Sequence, residues 1–160
     1  MNIEKNINIS RACINDFLAI AELDRVAWGE NRNSTFIPDG EHIWRLWVEH
    51  ALTVVARVNA DIVGAGVAIP TVDPKLYYVH KIMFADNFKG QGLGTRLLST
   101  MTESFDSDRV YSMLSTDPVN IPMQRVSEKC GFNEREFYPG YYRPNEDRWI
   151  YRRAPRCLNE

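Results

Sequence analysis

Between residues 84 and 95 the chain reads FADNFKGQGLGT, with Gly90, Gly92 and Gly94 at alternate positions after the apolar run LYYVHKIMF and before LLSTM. A strand that closes in a glycine turn and opens a helix belongs to a sheet covered by helices, so these residues constrain the fold most. The same junction gathers unpaired backbone N–H groups and the positive end of a helix dipole, which makes an anion site. Glycines let the main chain approach a phosphate without a Cβ in the way, and Lys89 adds a positive charge. The spacing is not the dinucleotide fingerprint, which from Gly90 needs a glycine where Thr95 stands, and no Gly-Lys-Ser/Thr follows as in a Walker loop. A glycine-rich turn with no ligand is the competing reading.

The flanking sequence extends the pattern. Ile7 and Ile9 alternate with polar residues, and Phe17, Ile20, Ala21 and Ala27 recur at helical spacing. NRNSTFIPDG is a loop by composition, and the helix after it is expected to present Ile43, Leu46, Trp47 and His50 on one face. LTVVARV and IVGAGVAI flank Asn59-Ala60-Asp61 as an antiparallel hairpin. After the glycines, Leu93, Leu97, Leu98, Met101 and Phe105 suit a buried helical face, VYSML a strand, and 120–130 a helix. That helix has Asn120 as N-cap, Pro122 in its first turn and Gly131 as its stop. Late strands around 132–138 and 148–153 are expected to pair across PGYYRPNED. The order predicts an α/β (α+β) chain, one domain over residues 1–160, with a mixed central sheet flanked by helices.

Charge excludes some functions. The 19 basic and 21 acidic side chains give a formal charge of -2, without the basic footprint of a nucleic-acid binder. Cys13, Cys130 and Cys157 have no metal-ligand or disulfide spacing, so no metal is expected. MNIEKNINIS lacks an apolar signal core, and no run approaches the roughly 18 apolar residues of a membrane span. A cytoplasmic protein with no membrane partner is the expectation.

Lys89-Gly90-Gln91-Gly92-Leu93-Gly94 resembles the Gln/Arg-x-x-Gly-x-Gly/Ala pyrophosphate loop of the GNAT superfamily of acetyl-CoA-dependent N-acetyltransferases, with lysine at the Gln/Arg position. Asn120 followed by Ser127-Glu128-Lys129-Cys130-Gly131-Phe132 is similar to that family's N-x-x-A-x-x-x-Y-E-K-x-G-F. The spacing from Gly131-Phe132 to Tyr141-Tyr142 and Glu146-Asp147 looks like the ribosomal-protein N-terminal alanine acetyltransferases. The resemblance implies splayed central strands, acetyl-CoA as cofactor, and a small amine or peptide N-terminus as acceptor. It also implies that Lys89, Gly90, Gln91, Gly92, Leu93, Gly94 and Thr95 cradle the pyrophosphate. Ile82, Met83 and Phe84 would pair with the pantetheine arm, Asn120 would touch that arm, and Lys129 would reach a CoA phosphate.

Acetyl transfer from a thioester to an amine asks for a base, since a lysine amine titrates near 10.4 and an α-amine near 8. It also asks for a hydrogen-bond donor where negative charge develops. The family tyrosine that protonates the departing thiolate is replaced by Ser127, a poor general acid, and the carboxylate of several relatives aligns with Ser115. Period-two alternation puts Tyr78, His80, Ile82 and Phe84 on one strand face and Lys81 on the other, where it is expected to pair with a carboxylate. His80 falls where serotonin N-acetyltransferases carry a catalytic histidine, and Tyr78 where some N-terminal acetyltransferases carry a catalytic tyrosine. His80, Tyr78 and Tyr142 are therefore the candidate catalytic residues, with a satisfied core histidine as the alternative for His80. Glu30 or Asp39 is offered to a cationic amine, and the aromatic late hairpin to a homodimer face or a cover for the sheet. The alternative to an enzyme is an acyl-CoA-binding interaction module with little transfer chemistry.

Overall fold

The computed structural model describes residues 6–29 and 37–157, so Glu30 lies outside the described residues. The strands are β1 (Ile7–Arg11), β2 (Leu52–Val58), β3 (Asp61–Pro70), β4 (Leu76–Phe84), β5 (Tyr111–Thr116), β6 (Glu134–Tyr138) and β7 (Arg148–Arg153). The helices are α1 (Phe17–Gly29), α2 (Glu41–His50), α3 (Leu93–Ser107) and α4 (Ile121–Lys129). The strands form one open mixed sheet in the order β1-β2-β3-β4-β5-β7-β6. Every pairing is antiparallel except β4 with β5.

A sheet with two apolar faces needs a cover on each. On one face Leu97, Leu98, Met101 and Phe105 of α3 pack with Val54, Ala56, Val79 and Leu114, and Phe132 closes the far side of this core. On the other, Ile20 and Ala21 of α1 and Trp44 and Val48 of α2 pack on Val55, Ala65, Val67 and Met83. The expected α3 stripe is fully buried. The expected α2 stripe is not: Leu46 and His50 face solvent, and the helix buries Trp44 and Val48 instead. Apolar residues cover most of the circumference of this short helix, so periodicity allows two stripes, and contact with α1 and the sheet selects one. Among the described residues no helix is long and apolar enough to cross a membrane.

One irregularity positions the site. Val67 of β3 pairs with Lys81, but the next residue, Ala68, pairs with Val79, so His80 is an extra residue on β4 with no partner across the ladder. Such a bulge re-aims side chains and breaks the period-two phase. Tyr77 and Val79 lie on the α3 face with Ile82 and Phe84. His80 and Lys81 both turn to the opposite face, against Trp47 of α2 and Asp24 of α1. The alternation reading is thereby corrected: Ile82 and Phe84 do not share a face with Tyr78 and His80, and Lys81 does not lie opposite His80.

Candidate active site

β4 and β5 pair only over Leu76–Val79 with Tyr111–Leu114. Beyond that point β4 continues to Phe84 on β3, and β5 to Thr116 on β7. Each strand keeps its outer neighbour and loses its inner one, so the sheet opens into a fork whose arms carry main-chain groups outside any ladder. Ile82, Met83 and Phe84 form one arm. An extended ligand can complete such an arm as an added strand does.

The glycine loop follows the β4 arm. Gly90 and Gly92 have φ of 75° and 76°, a left-handed backbone that glycine adopts at least cost. A Cβ at either would meet nothing within 4 Å, so the space over the loop is open. Gly92 is the N-cap of α3 and has no side chain to satisfy the first-turn amides, while the first helical bond runs from Arg96 N–H to Gly92 C=O at 3.2 Å. The amides of Leu93, Gly94 and Thr95 are therefore left for an acceptor from outside the helix. Leu93 sends its side chain into the core and Gly94 sits 3.7 Å from Val126 of α4 by its Cβ position, so both offer the site main chain only. Lys89 is paired with Asp86, and Gln91 Nε2 donates to Asn87 C=O at 2.8 Å. The loop's attraction for an anion thus comes from backbone amides and the helix dipole more than from Lys89. These residues fit a pyrophosphate.

Asn120 caps α4, its Oδ1 accepting from Met123 N–H at 3.1 Å, which leaves its amide NH₂ as a donor. Lys129 is exposed in the last turn of α4. Ser127 is fully buried and its hydroxyl donates to Met123 C=O at 2.8 Å, so its one proton is committed within its own helix. Asp117 accepts from Val119 N–H at 3.0 Å and turns the chain at Pro118. Cys130 is buried, and burial pushes its thiol up against smaller opposing effects of Ser99 and nearby cations.

At the base of the fork Tyr78 and Ser115 occupy the face opposite Val79 and Leu114. The Tyr78 hydroxyl is 2.6 Å from Ser115 Oγ and 3.1 Å from the Tyr142 hydroxyl, and Ser115 Oγ lies 3.3 Å from Tyr142. Tyr142 comes from the β6–β7 connection, steadied by Arg148, whose guanidinium lies 5.0 Å from its ring centre. Burial pushes the Tyr78 phenol well above its ordinary range, the bond to Ser115 opposes this, and Tyr142 adds to it. Tyr78 is therefore a protonated donor at neutral pH. The half-exposed Tyr142 links it to solvent.

His80 stands beside this triangle with Asp39 from the segment before α2, Nε2 to Oδ2 at 3.2 Å, and its ring 5.1 Å from that of Trp47. Behind it Lys81 donates to both oxygens of Asp24 at 2.8 and 3.0 Å and to Asp39 Oδ2 at 2.5 Å. Asp24 is fully buried and also accepts from Trp44 Nε1 at 2.9 Å and Asp39 N–H at 3.0 Å. The expected carboxylate partner of Lys81 is thus present twice over. Sequence reasoning missed Asp24, although an acid on the Ile20-Ala21 stripe of α1 is a signal, because buried charges are rare unless paired. It also passed over Ser115 as the place of a missing carboxylate, where the hydroxyl instead binds Tyr78.

Burial opposes ionisation of Asp39, but hydrogen bonds from His80 and Lys81 outweigh it and hold the carboxyl below its usual range. Burial likewise opposes ionisation of Asp106, and the Arg153 guanidinium, bound to it through two bonds of 2.7 Å, outweighs that. Groups whose folded pKa is depressed contribute stability that is complete above the unfolded value near 3.9 and lost as pH falls through the folded value. Urea midpoints are therefore expected to hold between pH 7 and 5 and to fall below about pH 4. The fall should be shallower in Asp106→Asn, and an equal slope in that variant would remove Asp106 from the account.

An open mixed sheet with a forked centre and an amide-lined turn leading into a helix is the arrangement that the sequence resemblance implies. The chain belongs to the acetyltransferase (GNAT) family, whose family model matches residues 17–132. Its cofactor is acetyl-CoA. Among solved structures it is similar to the ribosomal-protein-S18-alanine N-acetyltransferase from Escherichia coli, with 20% identity and a TM-score of 0.76 over 96% of this chain and 97% of that one. It is also similar to yncA of Salmonella typhimurium, solved with its cofactor acetyl-CoA, at 16% identity and a TM-score of 0.81 over 98% and 96% of the two chains. A chain of the NatC complex bound to Gag peptide and CoA matches at 17% identity and a TM-score of 0.74, over 94% and 99%. No curated protein matches.

Proposed function

We propose that the protein is an N-acetyltransferase that moves acetyl from acetyl-CoA to a primary amine, a peptide N-terminus or a small amine, by direct attack in a ternary complex. The observation that carries this is the fork itself, with an amide-lined turn after one arm and an imidazole and three hydroxyls at its base. The amides of residues 90–95 hold the pyrophosphate, the Lys89 amide being already bonded to Asp86 C=O at 3.2 Å; Ile82, Met83 and Phe84 pair with the pantetheine arm, Asn120 donates to that arm, and Lys129 meets a phosphate. When bound, acetyl-CoA supplies the acetyl group as a thioester.

His80 takes the proton of the amine. Tyr78 donates a hydrogen bond where negative charge develops, and Tyr142 passes protons between Tyr78 and water. Loss of the family tyrosine at Ser127 is tolerable, because a thiol of pKa near 8.5 leaves readily as its thiolate. Two similar structures, an alanine N-acetyltransferase and a peptide-bound complex, support peptide N-termini as the first acceptors to try.

A second reading, an acyl-CoA-binding module with little transfer chemistry, draws on Ser127, buried and with its proton committed within its own helix. Release of CoA thiol decides between them. With acetyl-CoA and a panel of peptides of different N-terminal residues, polyamines and amino acids, at least one amine is expected to raise CoA release well above hydrolysis. If none does while acetyl-CoA still raises the melting temperature, the module reading replaces the enzyme.

A further inference from the structure

We propose that Asp39 is a positioning residue for His80, holding the imidazole in the tautomer that has its proton on Nε2 and its lone pair on Nδ1. This rests on the reading of His80 as the base. Asp39 Oδ2 receives the Lys81 ammonium at 2.5 Å and lies 3.2 Å from His80 Nε2. A carboxylate that accepts from an ammonium is ionised and can only accept, so the imidazole nitrogen facing it must be the one that carries hydrogen. The other nitrogen, Nδ1, is then the site that takes a proton from the amine.

The rest of the cluster keeps that arrangement rigid. Asp39 N–H donates to Asp24 Oδ2 at 3.0 Å, and the fully buried Asp24 is held by Lys81 and the Trp44 indole. Trp47 packs at 5.1 Å against the imidazole and limits its rotation. The His80 side chain keeps a third of its surface exposed, so the imidazole is within reach of an acceptor. The bulge at His80 is what makes this possible, because it turns adjacent residues of β4, the imidazole and the ammonium, toward the same carboxylate. The charged and titratable groups facing His80 are Asp39 from the segment before α2, Lys81 and Tyr78 on its own strand, and Asp24 of α1 behind Lys81.

Two measurements test this. In ¹⁵N-detected spectra of the uniformly labelled protein without acceptor, assigned with His80→Gln, neutral His80 is expected to carry its proton on Nε2. Asp39→Asn is expected to shift population toward Nδ1–H, because the amide NH₂ can donate to Nε2 while its oxygen still accepts from Lys81. In thiol-release assays with the fastest amine of the panel, Asp39→Asn should lower kcat roughly 100-fold with the KM for acetyl-CoA within about twofold. Combining it with His80→Gln should add little further loss.

If His80→Gln lowers the rate but Asp39→Asn stays within about threefold of wild type, or if His80 of the wild type carries its proton on Nδ1, the positioning role is overturned and the base survives. If His80→Gln leaves rate and pH profile unchanged, the base reading falls and the positioning role with it. The wild-type spectrum keeps the test valid even if a variant folds poorly.

Discussion

Lys81→Met is expected to lower the free energy of unfolding by about 3–5 kcal/mol, measured by urea titration at pH 7. Only 8% of the lysine side chain is exposed, and its ammonium is the cation between Asp24, which is fully buried, and Asp39. Removing it leaves two carboxylates close together with a much weaker claim to charge, the costly way to break a buried pair. The Trp28 ring, 4.8 Å from the ammonium, also loses its cation contact. Asp24→Leu/Lys81→Met should recover part of the loss, since no charge is then stranded at position 24. Recovery is partial because Asp24 also accepts from Trp44 and the Asp39 amide. A Lys81→Met protein within about 1 kcal/mol of wild type would show that solvent already screens the cluster.

His80→Ala should lower kcat by about 100-fold or more below pH 8, within the range expected for loss of a general base. The KM for acetyl-CoA should stay within about twofold, because the imidazole lies at the base of the fork and not on the glycine loop. At higher pH the gap should narrow, as a growing share of the amine is deprotonated before it binds. A variant whose rate and pH profile match wild type would remove His80 from the chemistry. Tyr78 and Tyr142 would then have to act without an imidazole.

Local elements were plain in the sequence because their signals come from near neighbours. Strand β4 is LYYVHKIMF over its whole length, α3 buries the stripe expected of it, and Asn120 caps α4 as its residue type suggests. The glycine loop was legible for the same reason: Gly90 and Gly92 adopt the left-handed backbone that glycine alone takes easily. Tyr78 and Tyr142 are both candidates by sequence, and the structure brings their hydroxyls within 3.1 Å. Periodicity failed where it rests on a regular element. One extra residue at His80 reversed the facing of half a strand, and α2 turned Trp44 and Val48 inward while the expected Leu46 and His50 face solvent.

What the sequence determined by itself is the class: the order of strands and helices, the amide-lined turn, and the paired motifs that mark an acetyl-CoA-dependent transferase. The tertiary structure alone decided which side chains meet at the base of the fork. Asp24, Asp39 and Lys81 meet across separations of 57 and 42 residues, and Tyr78 meets Tyr142 across 64. No spacing rule joins such positions. Their contact depends on strand register and on which helix face the sheet accepts, both settled by packing of the whole chain.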